Sequence, residues 1–384
     1  MAGGEGTRLW PLSTKSKPKQ FFDITGIGKS LIRQTFERFN AFIPTENIII
    51  VTSSNYIDLV KGELPELPCE NILGEPYVRD TSPAITYATY SLLKRNPEAT
   101  MVVSPADMLV ENEDTFKNDI LSCLEYASKE EKIITLGVKA TRPEKNFGYI
   151  QVNETPESDS QENATSEKRK FVSIKTFIEK PAEDLAEVLI SSGEFYWSSG
   201  LYTWKASTIK GELEKHLPEL TQLFKNWEEI IGTDKEHQFI TTIYSDCIKN
   251  AFPYGILEKT DKASFYLAHF GWIDVGSWPS ISKICTPEAV ARAMASAKTK
   301  VSKQAGKNDI AAASNKNNSK LRILNNASDN LIISKDDKKL IIINDLSDYM
   351  VIDTEKVLVI CPRNNKEYQS FLDDSKLPGL EEYR

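Results

Sequence analysis

The first residues of the chain, Ala2-Gly3-Gly4-Glu5-Gly6-Thr7-Arg8, have the composition of a phosphate grip. Gly3, Gly4 and Gly6 let a backbone turn sharply and approach a ligand closely, so that successive N–H groups can face phosphate oxygens. Arg8 and, further on, Lys19 add fixed positive charge of the kind that a triphosphate attracts. The spacing fits neither G-x-x-x-x-G-K-[ST] nor G-x-G-x-x-G, which excludes an ATPase-type P-loop and a dinucleotide fingerprint. Glycines alone also fit a floppy terminus; Thr7, Arg8 and Pro18-Lys19 weigh against that reading.

Two carboxylates are candidates for an ion. Asp107 follows the apolar run Ala99 to Ser104, which Pro105 stops, so it sits where a strand ends. Asp274 follows Trp272 between turns marked by Gly271 and Gly276. Two carboxylates and phosphate oxygens make a hard, all-oxygen site, which suits Mg²⁺. A lone aspartate after a strand also reads as a helix N-cap or a turn residue. Glu179 and Lys180 end a β run before Pro181. The carboxylate can accept from hydroxyls and the ammonium can hold a phosphate; an exposed charged pair is the alternative. Gly148 allows close approach of the backbone to a ligand. Thr81 and Ser82 precede a helix that their hydroxyls can cap, and Arg79 either orients a nucleotide or lies on the surface. His216, His237 and His269 are too scattered for a metal site or a general base.

Elements of alternating period must position these groups. Helical patterns cover Ser30 to Phe39, Ser82 to Arg95 and Phe116 to Lys129, and β-branched or apolar runs cover Asn47 to Thr52, Ala99 to Ser104 and Ile133 to Val138. That alternation predicts an α/β class, a Rossmann-like, mixed or mostly parallel sheet with ligands at its C-terminal edge. Strands are expected at Tyr149 to Asn153, Phe171 to Glu179 and, briefly, Leu201 to Trp204, with a mobile loop over Glu154 to Lys170 and a helix over Ala182 to Ser192. Short β runs at Leu331 to Ser334, Leu340 to Ile343, Tyr349 to Asp353 and Val357 to Cys361 predict a small C-terminal β domain, read as β-helix-like, with a helix after Glu367. The expected organisation is a catalytic domain over 1–285, a helix and flexible linker over 286–322 and the β domain over 323–384.

AGGEGTRLWPLSTKSKPKQFF resembles the signature of the sugar-nucleotide pyrophosphorylases, and Trp10-Pro11-Leu12-Ser13 and Lys19-Gln20-Phe21 resemble their mannose-1-phosphate guanylyltransferase branch. The resemblance continues in order through Glu75-Pro76, Arg79-Asp80-Thr81-Ser82-Pro83-Ala84, Pro105-Ala106-Asp107, Phe147-Gly148-Tyr149, Phe177-Ile178-Glu179-Lys180-Pro181, Ser199-Gly200 and Gly271 to Trp278. It implies that GTP and mannose 1-phosphate react to GDP-mannose and diphosphate, with Asp107 and Asp274 as ligands of Mg²⁺. It further implies nucleotide contacts from Ala2, Gly3, Gly4, Gly6, Thr7, Arg79, Thr81 and Ser82, the last two beside the base. Gly148, Tyr149, Glu179, Lys180, Ser198, Ser199 and Gly200 are the implied sugar-phosphate residues, and Arg8, Lys19 and Asp107 the implied catalytic ones.

The chain departs from this pattern twice. Ser198 stands where the family has Asn, and Pro253 where it has Asp before Tyr254. A shorter side chain at 198 can leave a sugar hydroxyl unpaired, at about 1–3 kcal/mol. The alternatives are another sugar nucleotidyltransferase using ATP, UTP or dTTP, and a regulatory homologue that binds nucleotide sugars with little catalysis. The glycine loop ordinarily follows a central strand, so a version of the chain extended upstream is expected to be more stable. The chain ends at Arg384, soon after the β domain, which implies the monofunctional type without a further isomerase domain. Packing or subunit contact, as in a homodimer, is the expected role of the β domain.

The bulk composition limits the partners. Net charge is −8 with no strongly basic block, which argues against nucleic acid. Five cysteines without a CxxC pair argue against a disulfide framework or zinc site and for a reducing cytoplasm. Neither a signal core nor an apolar run long enough for a membrane span is present.

Overall fold

A computed structural model describes residues 1–25, 27–154, 171–278, 280–281, 322–334, 339–363, 377, 379–380 and 383. The expected mobile loop from 155, the linker to 321 and the helix after Glu367 lie outside the described residues. The chain forms two compact units. One comprises Met1–Gly3, Phe36–Ala106 and Val110–Trp272; the other comprises Gly4–Thr35, Asp107–Leu109 and Ile273–Arg384.

In chain order the strands are β1 (Ile50–Ser53), β2 (Ile72–Glu75), β3 (Thr100–Val103), β4 (Met108–Val110), β5 (Ile133–Lys139), β6 (Gly148–Val152), β7 (Phe171–Glu179), β8 (Phe195–Lys205), β9 (Ala263–Leu267) and β10 (Trp272–Asp274). The helices are α1 (Leu31–Asn40), α2 (Ile57–Glu63), α3 (Thr81–Arg95), α4 (Glu113–Lys129), α5 (Glu183–Ser192), α6 (Ala206–His216), α7 (Pro218–Leu223), α8 (Trp227–Ile230) and α9 (Glu236–Asp246).

The first unit is built on a six-stranded sheet of order β3-β8-β5-β9-β7-β6, with β8 also touching β6, and on the parallel pair β1-β2. The sheet is mixed, one of the two arrangements expected, and its pairings are mainly antiparallel, which the mostly parallel alternative does not allow. β8 runs antiparallel to β3, β5 and β6, and β7 runs antiparallel to β6 and β9; β5 and β9 are parallel. The cause is the long strand β8, whose sequence reads as four strand residues because Ser198-Ser199-Gly200 interrupts the apolar run. Those residues form a bulge: Leu136 pairs with Leu201 while Gly137 pairs with Ser198. Gly200 supplies φ 77°, and Ser199 Oγ donates to the Leu136 carbonyl at 2.6 Å, which satisfies the ladder where it breaks.

Buried apolar residues of this unit gather on the six-stranded sheet and beside the pair β1-β2. Trp204, Ile133, Ile209, Leu213, Phe252, Ile256 and Phe265 make one cluster, and Tyr87, Tyr90, Phe224, Ile240, Ile243 and Tyr244 make another. Phe252 lies 5.0 Å from the ring of Trp204 and 5.2 Å from that of Tyr202, centroid to centroid. A buried aromatic of this kind holds the turn at Pro253–Leu257 to the sheet.

In the second unit the strands are β11 (Arg322–Asn325), β12 (Leu331–Ser334), β13 (Ile341–Asn344), β14 (Tyr349–Asp353) and β15 (Leu358–Pro362). β11 pairs parallel with β13 and β12 parallel with β14. The β-helix-like expectation is not confirmed: β15 returns antiparallel to β14, through a turn closed by Thr354 N to the Val357 carbonyl at 2.9 Å, so the sheet is mixed. Leu331, Met350, Ile352 and Cys361 share a core with Leu9, Leu12, Ile24, Leu31, Val275 and Trp278. Cys69, Cys123, Cys247 and Cys361 are free thiols. Among the described residues no helix is long and apolar enough to cross a membrane.

Phe252→Ala is expected to destabilise the protein by about 3–5 kcal/mol, since it removes a buried ring and leaves a cavity. Equilibrium denaturant unfolding with an unchanged slope is the check.

Candidate active site

In the second unit, four charged residues singled out from the sequence come together. Gly6 adopts φ 61°, ψ 29°, a left-handed conformation, and a Cβ there would meet Ser13 Oγ at 2.7 Å and Lys19 Cγ at 2.9 Å. The loop is fixed by Ser13, whose hydroxyl donates to the Glu5 carbonyl at 2.9 Å and accepts from Lys19 N at 3.0 Å. Gln20 Nε2 donates to the Gly4 carbonyl at 3.0 Å. Thr7–Leu9 then make a single 3₁₀ turn that leads to Arg8 and the buried Leu9.

Lys19 Nζ stands 2.7 Å from Asp107 Oδ2, and the lysine is almost wholly buried. Burial would push the Asp107 carboxyl up. The Lys19 ammonium, helped by the Arg8 guanidinium, outweighs that and holds it below the ordinary carboxylate value. Asp274 Oδ1 accepts from Gly276 N at 2.9 Å and Oδ2 accepts from Ser280 Oγ at 2.9 Å. Gly276 lacks a Cβ where one would meet Asp274 Oδ1 at 2.8 Å and Arg8 Nη2 at 3.0 Å, so these two side chains flank its Cα. Trp278 Nε1 donates to the Trp10 carbonyl at 3.1 Å and ties the segment after Asp274 to the loop after Arg8.

Asp107 and Asp274 offer only carboxylate oxygens. Among the described residues no group of three or more His, Cys, Asp or Glu is placed to hold a metal. That donor set fits an ion such as Mg²⁺, which is commonly held by one or two carboxylates, water and substrate phosphates, and it does not make a full protein cage.

In the first unit, Ala2 N donates to the Val51 carbonyl at 2.7 Å, and Thr52 Oγ1 donates to the Ala2 carbonyl at 3.0 Å. Gly3 therefore lies beside the C-terminal ends of β1 and β2, and a Cβ on it would meet Glu75 Oε2 at 2.9 Å. Sequence reasoning assigns Glu75 no role. Its carboxyl is buried and pushed up to about 7 by desolvation, although the Tyr244 hydroxyl donates to it at 3.1 Å. Only its place at the end of a short strand signals it.

Asp80 is a second residue that sequence reasoning misses. It caps α3 by accepting from Thr81 N at 2.9 Å, in a backbone conformation (φ 69°, ψ −164°) that glycine favours. Such a conformation costs on the order of 1–3 kcal/mol at a non-glycine residue. Arg79 Nε donates to the Tyr244 carbonyl at 2.8 Å. The Thr81 hydroxyl accepts from Phe252 N at 2.8 Å, and Ser82, fully buried, donates from Oγ to Asn250 Oδ1 at 2.8 Å. All three are thus engaged within the fold.

Glu179 ends β7 with a largely buried carboxylate and the exposed Lys180 follows it, with Oε1 and Nζ 3.3 Å apart. Burial raises the Glu179 carboxyl, Lys180 opposes this, and Glu258 and Asp80 add to it. Gly148, opposite Glu179 in the sheet, has no room for a Cβ, which would meet Glu179 Oε2 at 2.8 Å. Tyr149 is buried and its hydroxyl accepts from Glu144 N at 2.8 Å. Ser198 Oγ accepts from Gly200 N at 3.4 Å within the bulge.

Residues 1–288 match the family model described as nucleotidyl transferase. The chain belongs to the nucleotidyl transferase family. It is 32% identical over 289 residues to the alginate biosynthesis protein AlgA of Pseudomonas fluorescens, covering 73% of this chain and 56% of that protein. It is 32% identical over 286 residues to a mannose-1-phosphate guanylyltransferase of Escherichia coli, covering 73% and 60%. The chain thus spans less than two thirds of the length of these curated relatives. A crystal structure of mannose-1-phosphate geranyltransferase from Thermus thermophilus superposes with a TM-score of 0.76 over 98% of each chain; at 22% identity this is a likeness of fold.

Glu75 sets a pH dependence. A carboxyl raised from the ordinary 4.5 to about 7 contributes stability that is complete in acid and lost as pH rises through about 7. Glu75→Gln is expected to flatten this loss across that window, as read by melting temperature against pH.

Proposed function

We propose that the chain transfers a guanylyl group from GTP to mannose 1-phosphate and releases diphosphate. The observation that carries this reading is the Lys19–Asp107 ion pair with Arg8 and Asp274 gathered about Gly6 and Gly276, in a chain of this family. The relatives named as mannose-1-phosphate guanylyltransferases support the choice of base and sugar.

A sugar 1-phosphate oxygen attacks the α-phosphorus, and the bond to the diphosphate oxygen breaks. No protein nucleophile takes part. The amides of Gly3, Gly4, Gly6 and Thr7 and the side chains of Arg8 and Lys19 hold the phosphates and offset their charge. Glu179 accepts from sugar hydroxyls and Lys180 holds the sugar phosphate, with Gly148 leaving room for the ring. Asp107 and Asp274 are the residues that would hold Mg²⁺, whose chemistry is to neutralise charge on the phosphates. Lys19, paired with Asp107 in this structure, is the ammonium that would offset phosphate charge beside that carboxylate. Residues 1–285 form the catalytic portion on this reading, and the reducing cytoplasm is its compartment.

A panel of GTP, ATP, UTP and dTTP with mannose and glucose 1-phosphates, read by diphosphate release, tests the assignment. GTP with mannose 1-phosphate is expected to react fastest; a different best pair replaces the substrates, and no turnover with any pair removes the activity. Asp107→Asn is expected to lower kcat by about 100-fold or more, by analogy with the loss of one positioned charge-stabilising group, while the melting transition persists. Near-normal activity in that variant sinks the role given to Asp107.

A further inference from the structure

The strand that carries Glu179 meets an unusual partner at its end. Lys180 N donates to the Phe147 carbonyl at 3.1 Å, so the hydrogen-bonded pair on the β6 side lies one step beyond Gly148 and Glu179. Antiparallel pairs alternate, so the N–H and C=O of Glu179 face the other edge of β7. On that edge β9 pairs only with Phe171 to Ser173, far from Glu179 along the strand.

Two side chains take the place of the missing strand. Glu258 Oε1 accepts from Glu179 N at 3.2 Å, and the Tyr254 hydroxyl donates to the Glu179 carbonyl at 3.0 Å. Both come from one tight turn, Pro253–Leu257 and the residue after it, closed by Gly255 N to the Ala251 carbonyl at 2.9 Å and Glu258 N to the Pro253 carbonyl at 3.0 Å. The residue that follows the clamped peptide, Lys180, is held at φ 46°. Left-handed backbone costs a non-glycine residue roughly 1–2 kcal/mol, so the surroundings must enforce it. Tyr254 is 44% exposed, so its hydroxyl is not needed to fill the core.

We propose that Tyr254 and Glu258 are positioning residues for the sugar phosphate: by gripping both sides of Glu179 they hold the turn that aims its carboxylate and the Lys180 ammonium. This rests on the function proposed above, which places the sugar phosphate at Glu179 and Lys180. It gives the segment around Pro253 a task that proline allows, because the grip uses side chains at 254 and 258 and none at 253. The same segment is anchored through Phe252 N on Thr81 and Asn250 on Ser82, so its base is fixed to the start of α3.

The test uses the full chain and reads kinetics and amide exchange together. Tyr254→Phe and Glu258→Ala are each expected to raise KM for mannose 1-phosphate about five-fold, the weight of one ordinary hydrogen bond, with KM for GTP unchanged. Glu258→Gln keeps an acceptor and is expected to restore most of the loss. Hydrogen–deuterium exchange across residues 177–181 is expected to quicken in Glu258→Ala. Quickened exchange with unaltered mannose 1-phosphate kinetics overturns the positioning role, as does an equal rise in both KM values. If the wild-type chain makes no GDP-mannose, the proposed function fails, and exchange alone decides whether the grip exists. Unchanged exchange in Glu258→Ala then overturns it.

Discussion

A lysine ammonium 2.7 Å from an aspartate carboxylate, with the lysine almost wholly out of water, is the interaction on which the second unit turns. Bringing a charge out of solvent is expensive, and the Asp107 carboxylate offsets that cost for Lys19. Lys19 therefore requires Asp107, and its backbone N–H in turn is held by Ser13, which also holds the Glu5 carbonyl of the glycine loop. Gly6 must be glycine because Ser13 and Lys19 occupy the space a Cβ would need. Loop geometry and charge placement are thus one constraint.

The first unit solves a different problem, which is to end and bend strands without leaving backbone groups unpaired. β1 and β2 end beside Gly3, β7 ends at Glu179 and Lys180, and β8 bulges at Ser199 and Gly200. In each case a side chain completes what the ladder lacks: Thr52 for Ala2, Tyr254 and Glu258 for Glu179, Ser199 for Leu136. These are hydrogen bonds that leave strand ends ordered and open on one side.

Much of this is legible in the residues. The helical patterns near Ser30, Ser82 and Phe116 lie within one to three residues of where α1, α3 and α4 begin, because their apolar periodicity is strong. Arg8, Lys19, Asp107 and Asp274 are singled out by the resemblance of their motifs to the sugar-nucleotide pyrophosphorylases, since their spacing along the chain does not itself bring them together. What stays hidden depends on tertiary surroundings. β8 reads as a shorter strand because a bulge looks like a break, and with it goes the sheet's direction. The raised Glu75 carboxyl comes from desolvation by distant elements, and no local pattern encodes that. The grip on Glu179 joins residues 75 and 79 positions apart, a separation at which sequence spacing carries no signal.

The C-terminal strands carry a regularity with a consequence for how the segment can change. Asn326 with Asp345, Ser328 with Ser347, and Ser334 with Asp353 are partners 19 positions apart, and the parallel pairs β11 with β13 and β12 with β14 keep that same offset. A single inserted residue would shift the offset and turn the inward side chains of one strand outward. The offset thus fixes how much chain separates β12 from β14 and keeps Leu331 opposite Met350 in the core that both share with Leu9 and Leu12.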